Sequence, residues 1–328
     1  MRLAILGTGR MGALRAALLA QRADVSEVVL AGGDRERTAA AAARAGARPA
    51  TVAEALAAAP DGVIVASATA LHAEHLEACA ELGVPVLCEK PLALTVADTT
   101  ALIATLERAG VPAQVGFQRR FDTGLRALRD CVADGTVGTV YSLRITARDA
   151  EPSPEHFIPS SGGMFRDMHV HDFDLARWVS GREVATVYAT GTVRAHERYA
   201  RHGDVDTTAI VLTLDDGTPV TIDGTRHDPR GQDVRVEVAG RRDVVVAGLS
   251  ARTPLRTVDP DGLAPAGRGW ESSYERFAPA YAAETDAFVA LVRDRGPSPC
   301  PPSAALEALR IADACEESRA TGLPVALR

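Results

Sequence analysis

"LGTGRMG", residues 6–12, sets three glycines at the spacing G-x-G-x-x-G directly behind the apolar run RLAIL (2–6) and at the head of a helical pattern from about Met11 to Arg22. Each glycine has its own task in such a stretch. The first allows the tight turn, the second lets a pyrophosphate approach the backbone, and the third lets the helix pack against the strand. The helix amino terminus adds an attraction for phosphate charge. The spacing alone is a weak signal, but an acidic residue, Asp34, follows roughly 20 residues on, at the end of a second apolar run, EVVLA (27–31). Strand, glycine turn, helix and acid together predict a dinucleotide-binding unit. Asp34 would accept hydrogen bonds from an adenosine ribose and repel a 2′-phosphate, which favours NAD; Arg35 and Arg37 keep NADP open, because an arginine there can cradle that phosphate.

Outward from this unit the rhythm continues. Alanine-rich helical sequence runs through Arg44, then come DGVIVAS (61–67), a helix over 70–82, VPVLCE (84–89), a helix over 94–109, and PAQVGF (112–117). Short apolar strands alternating with helices indicate a doubly wound parallel sheet, covered on both faces. After about residue 120 the pattern changes. A helix near 122–134 leads to VGTVYSLRITARD and a helical stretch within 162–179, then mainly strands: EVATVYATGTV, DTTAIVLTL, PVTIDGT, DVRVEVAG and DVVVAG. These predict a largely antiparallel open sheet with helices on one face. The fold expected is therefore α/β followed by α+β: a Rossmann domain over 1–120 and a substrate-binding and oligomerisation domain over 121–328. Ala209 and Val211 are apolar on the strand face opposite Ile210, Leu212 and Leu214, so the second face should also be covered, by another subunit. Residues 254–269 read as a surface loop, and helices near 273–294 and 303–320 close the chain.

Composition narrows the partners. A formal net charge of −7 in 328 residues disfavours nucleic acid, whose binding rests on neutralising phosphates. No run is apolar enough to span a bilayer, and MRLAIL leads into the glycine turn, not into a cleavage site, so a cytoplasmic protein is expected. Cys79, Cys88, Cys131, Cys300 and Cys315 are scattered and form no C-x-x-C, which signals neither a disulfide framework nor a cysteine zinc site.

Of the 36 basic residues, all but Lys90 are arginine. A lysine can be tuned to share its proton, whereas arginine stays protonated. Lys90 lies in VLCEKPLALT, at the carboxyl end of a strand, the edge at which open α/β sheets bind ligands. Pro91 restricts the lysine backbone to extended geometry. A second concentration of polar groups lies in GGMFRDMHVHDFDLARWV (162–179). On a helix Asp167 and His171 share a face while His169 turns away, which argues against a three-ligand metal site and for an acid–base dyad. His171 also falls on the stripe Met164, Met168, His171, Leu175, Trp178, so a satisfied core histidine stands as the rival reading.

Gly7-x-Gly9-x-x-Gly12, Glu89-Lys90-Pro91, GFQRRFD and GGMFRDMHVHDFDLARW, in this order and spacing, resemble the glucose-fructose oxidoreductase and inositol dehydrogenase family, Gfo/Idh/MocA. The resemblance spans essentially the whole chain. It implies a dehydrogenase oxidising a secondary hydroxyl of a cyclic polyol or sugar, with Lys90, Asp167 and His171 as the catalytic set. It implies a cofactor site drawn from Gly7, Thr8, Gly9, Arg10, Met11, Gly12, Asp34, Arg35, Ser67, His72, Glu89 and Lys90, no metal, and a homodimer or homotetramer joined through open sheets. Arg120, Asp149, His169 and Gln232 are candidates for recognising substrate hydroxyls. The chain departs from inositol dehydrogenases in carrying Gln232 where a tyrosine is common and in lacking a proline in SATALH.

Overall fold

Apolar runs in the first third become an all-parallel, six-stranded sheet. Its strands are β1 (Arg2–Leu6), β2 (Glu27–Ala31), β3 (Arg48–Ala50), β4 (Gly62–Val65), β5 (Val86–Glu89) and β6 (Ala113–Gly116), in the order β3-β2-β1-β4-β5-β6. The helices α1 (Arg10–Ala20), α2 (Arg35–Ala45), α3 (Val52–Ala57), α4 (His72–Leu82) and α5 (Val96–Arg108) connect them. The order reverses between β1 and β4, which is where sheets of this kind open a crevice at the strand carboxyl ends. The computed structural model describes residues 1–262 and 267–327, so part of the loop expected over 254–269 lies outside the described residues.

Contacts divide the chain into two compact units, residues 1–117 with 281–306, and residues 118–280 with 307–328. A single break at 120 does not capture this. Most of α11 (Ala278–Asp294) belongs with the first unit because Phe288, Val289, Leu291 and Val292 join Leu3, Ile5, Leu30, Ile64 and Leu87 in one buried cluster. Gly62 makes the approach possible: a Cβ there would lie 2.5 Å from a methyl of Val292.

The second unit holds α6 (Thr123–Ala133), β7 (Val140–Arg148), α7 (Ile158–Ser161), one wide π-helical turn over Phe165–His169, α8 (Val170–Ser180), β8 (Val184–Thr192), α9 (Arg198–Arg201), β9 (Thr207–Leu214), β10 (Pro219–Thr225), β11 (Asp233–Gly240), β12 (Val244–Ala247), α10 (Ser273–Arg276), most of α12 (Pro302–Thr321) and β13 (Val325–Ala326). Its sheet runs β12-β11-β7-β10-β9-β8-β13, with β7 and β10 parallel and the other neighbours antiparallel. Val220, Ile222, Ile210, Leu212, Val234, Val236 and Val238 point into the core at alternate positions. On the opposite face Val211 and its cross-strand partner Tyr188 stay exposed, as do Tyr141, Val244 and Val246.

Candidate functional site

At the head of α1 the glycines are required by space. Gly7 takes φ +123°, and a Cβ there would meet the Ala66 carbonyl oxygen at 2.3 Å; a Cβ on Gly12 would lie 1.8 Å from the Gly7 carbonyl oxygen. Gly9 differs: its Cβ direction is open for 4 Å. That open space borders the amino terminus of α1, whose first turn carries no acidic side chain, and Thr8, Arg10 and Met11 flank it on the same turn. A pyrophosphate fits such a cradle on shape and on charge. Asp34 caps α2 by accepting from the Arg37 amide at 2.9 Å, which fixes its carboxylate just past β2, with Arg35 opening the helix. These residues fit a dinucleotide.

Beyond β4 and β5 two loops are tied together by His72. Its Nδ1 lies 2.8 Å from the Pro91 carbonyl oxygen and its Nε2 3.2 Å from that of Ser67, with the ring buried. Burial lowers its proton affinity below the usual histidine value. His72, expected to contact the cofactor, is instead a brace under the loop bearing Lys90, because both ring nitrogens face backbone. Ser67 likewise bonds His75 Nδ1 at 3.0 Å. The Lys90–Pro91 peptide bond is cis.

Glu89, also expected to hold cofactor, accepts on Oε1 from Arg15 Nε and Nη2 at 3.0 and 2.8 Å. Arg15 is wholly buried, although it is a guanidinium on the face of α1 that carries Gly12, Ala16 and Leu19. It also donates to Glu284, to Thr285 Oγ1 at 3.0 Å and to the Tyr281 carbonyl at 3.2 Å. Burial pushes Glu284 up to about 7, with Arg15 pulling it back and Glu89 pushing it further. Burial also holds the Cys88 thiol well above its ordinary value.

In the second unit Asp167 and His171 stand on successive turns where the π-helical turn passes into α8, a wider winding than the ordinary helix the spacing predicts. Such turns occur often at functional sites. Asp167 Oδ2 accepts from Arg226 Nη1 at 2.8 Å, and the same nitrogen lies 3.7 Å from Asp149 Oδ2. Gln232 Nε2 donates to Asp149 Oδ1 at 3.3 Å, while its own carbonyl faces the Ala150 amide at 3.4 Å. Burial raises Asp149 above the usual carboxylate range despite Arg226 and Gln232. Burial works equally against Arg226, but Asp167 and Asp149 outweigh it and hold the guanidinium more firmly protonated than usual. Asp149, Asp167, Gln232 and Arg226 are thus brought together, and Arg226 is the member that motif reading missed. The signal was there: it continues the inward alternation of Val220, Ile222 and Gly224.

Two substrate candidates are corrected. His169 is completely buried, with Nδ1 2.8 Å from Asp172 and Nε2 2.7 Å from Thr208 Oγ1, and its ring occupies the space left by Gly224, where a Cβ would lie 2.3 Å from Cε1. Arg119 completes this knot on Asp172. Burial opposes the Asp172 carboxylate, yet Arg119 and His169 together hold it below its usual range. Arg120 spends its fork on Asp174, at 2.8 and 2.5 Å. Both side chains are committed to the frame of α8, which explains why polar residues crowd an otherwise apolar stretch. With both nitrogens engaged, His169 is no metal ligand; among the described residues no three His, Cys, Asp or Glu side chains are grouped to hold a metal ion.

A glycine cradle at the switch of a parallel sheet, followed by a second unit built on a mostly antiparallel sheet, is the architecture of a nicotinamide-dependent oxidoreductase. Residues 1–117 match the model of the oxidoreductase family with an NAD-binding Rossmann fold, and residues 125–246 match the GFO/IDH/MocA C-terminal domain. The chain belongs to the GFO/IDH/MocA family and binds NAD. Among its relatives, the myo-inositol dehydrogenase Hyg17 of Streptomyces leeuwenhoekii is 40% identical over 84% of each chain. Inositol 2-dehydrogenase of Rhizobium meliloti is 32% identical over 97% of this chain and 96% of its own. The crystal structure of a myo-inositol dehydrogenase from Corynebacterium glutamicum superposes with a TM-score of 0.91 at 31% identity, covering 100% of this chain and 99% of the other.

Proposed function

We propose that this chain is an NAD-dependent dehydrogenase that oxidises a secondary hydroxyl of a cyclic polyol to a ketone, with an inositol as the first substrate class and a hexose or amino sugar next. The observation that carries this reading is similarity to inositol dehydrogenases across both units, in a chain that contains Lys90, Asp167 and His171. His171 accepts the hydroxyl proton as the carbon is oxidised, a role suited to an imidazole near neutral pH. Asp167 steadies the imidazolium that forms. Lys90 supplies a hydrogen-bond donor able to stabilise negative charge developing on a substrate oxygen. NAD, when bound, supplies the hydride acceptor. Asp149 and Gln232, joined to the Asp167 cluster, are the remaining candidates for recognising a second hydroxyl.

The chain is also proposed to act in the cytoplasm as a homodimer or homotetramer through the exposed face bearing Tyr141, Tyr188, Val211, Val244 and Val246, apolar residues of a kind that mark contact surfaces. Among the described residues no helix is long and apolar enough to cross a membrane.

The test is NADH absorbance from the purified chain with NAD and a panel of inositols, hexoses and amino sugars. Saturable turnover with one stereochemical class supports the reading. NAD binding without NADH formation on any polyol overturns it in favour of a dinucleotide sensor on the same fold.

A further inference from the structure

Arg226 plays no part in the mechanism above, yet it is only 3% exposed and needs anionic partners. It has two carboxylates for one guanidinium: Asp167, hydrogen-bonded at 2.8 Å, and Asp149, at a Coulombic 3.7 Å. A third carboxylate, Asp204, also acts on it through space, with its Oδ2 buried and without a hydrogen-bond partner among the described residues. Asp204 accepts from the Met164 amide at 2.9 Å, and the Tyr199 hydroxyl accepts from the Ser153 amide at 2.9 Å. Arg119 is turned to Asp172, and on the helix of Asp167 itself Arg166 is turned to Asp313 at 3.0 Å, with His171 one turn on.

The two carboxylates are therefore unequal. Asp167 holds the short bond to the cation, while Asp149 has the long contact and a hydrogen bond from neutral Gln232, so a proton taken up by the pair goes to Asp149. We propose that Arg226 is a positioning residue for the Asp167–His171 couple: its bond keeps Asp167 anionic and aimed, and thereby sets the proton affinity of His171, while Asp149 serves as the carboxyl that absorbs a proton. Without the cation, two adjacent carboxylates share one proton, since like charges so close do not both ionise readily. Asp167 is then partly neutral and supports the imidazolium poorly. This inference rests on the proposed roles of Asp167 and His171.

The experiment is the pH profile of kcat, at saturating polyol and NAD, so that any weakening of substrate binding falls in KM. For Arg226→Met the acid limb, which then reports the proton shared by Asp149 and Asp167 and not the imidazole, should move up by about one pH unit, with roughly a tenfold loss of kcat near neutrality. Adding Asp149→Asn removes the competing carboxylate and should return the limb to its wild-type place, the readout being the position of the limb and not the size of kcat. A loss that is independent of pH, and that Asp149→Asn deepens, is what a merely structural arginine gives, and it overturns the proposal. Should Arg226→Met not fold, Arg226→Lys keeps the cation: a limb held at its wild-type position supports the assignment, and one displaced upward contradicts it. Failure of the underlying reading looks different. Asp167→Asn and His171→Ala would then turn over normally, whereas failure of the Arg226 role leaves those variants slow and the Arg226→Met limb unmoved.

Discussion

Each unit contains a buried arginine between two carboxylates, and the two arrangements differ in how completely the guanidinium is used. Arg15 donates from Nε, Nη1 and Nη2 to Glu89, Glu284, Thr285 and the Tyr281 carbonyl, binding α1, β5 and α11 into one body. Arg226 makes one short bond, to Asp167, and leaves Asp149 at 3.7 Å. A saturated guanidinium is a structural fastening, because any movement breaks several bonds at once. An unsaturated one leaves a carboxylate able to exchange a proton, which is what the chemistry proposed for His171 would use. Both arginines sit behind a proposed catalytic side chain: Glu89 precedes Lys90, and Asp167 precedes His171 by one turn.

This comparison is broken most easily at Arg15. Measured above pH 7, where Glu284 is ionised, Arg15→Met strands Glu284 and Glu89 without their cation and should cost about 3–5 kcal/mol in denaturant unfolding, as breaking buried pairs does; a loss below about 1 kcal/mol would show that the fastening is idle. The next effect concerns pH. Glu284 keeps its proton in the folded chain up to about 7, against an ordinary value of 4.5, so its contribution to stability falls as pH rises through that window. Glu284→Gln should therefore gain on the wild type by on the order of 2 kcal/mol between those limits, and parallel stability curves would contradict the assignment. Arg226→Met should lose less than Arg15→Met, about 1–2 kcal/mol, because Asp149 can take up a proton and relieve the charge. Thr208→Val, which removes the Nε2 partner of His169, should cost about 1 kcal/mol in thermal unfolding and leave the pH profile of kcat unchanged, in keeping with a histidine that only packs.

The first unit was the more legible from sequence. Glycine spacing, apolar strands and Asp34 are local signals, and the cradle follows from them directly. What escaped was β3, three residues including Pro49, too short to show a period, and the return of α11, whose Phe288 and Val292 pack on β1 and β4 from more than 200 positions away. In the second unit the strands were legible but not their order, since nothing in β7 or β10 announces a parallel pairing. His169 and Arg120 were read as reaching outward because polarity alone does not reveal that Asp172, Thr208 and Asp174 are waiting inside. Arg15 and Arg226 were overlooked for the converse reason: an arginine at an inward position, among Ala16 and Leu19 or after Ile222 and Gly224, is informative only when alternation is weighed above residue type.

The central claim is that Lys90 and His171 carry the chemistry, and it is tested most directly by steady-state kinetics of Lys90→Arg and His171→Ala with NAD affinity measured alongside. His171→Ala should bind NAD as the wild type does, and both variants should lose kcat on the order of a hundredfold or more, Lys90→Arg despite its preserved charge. Near-normal turnover in either variant, with the pH profile intact, would contradict the account.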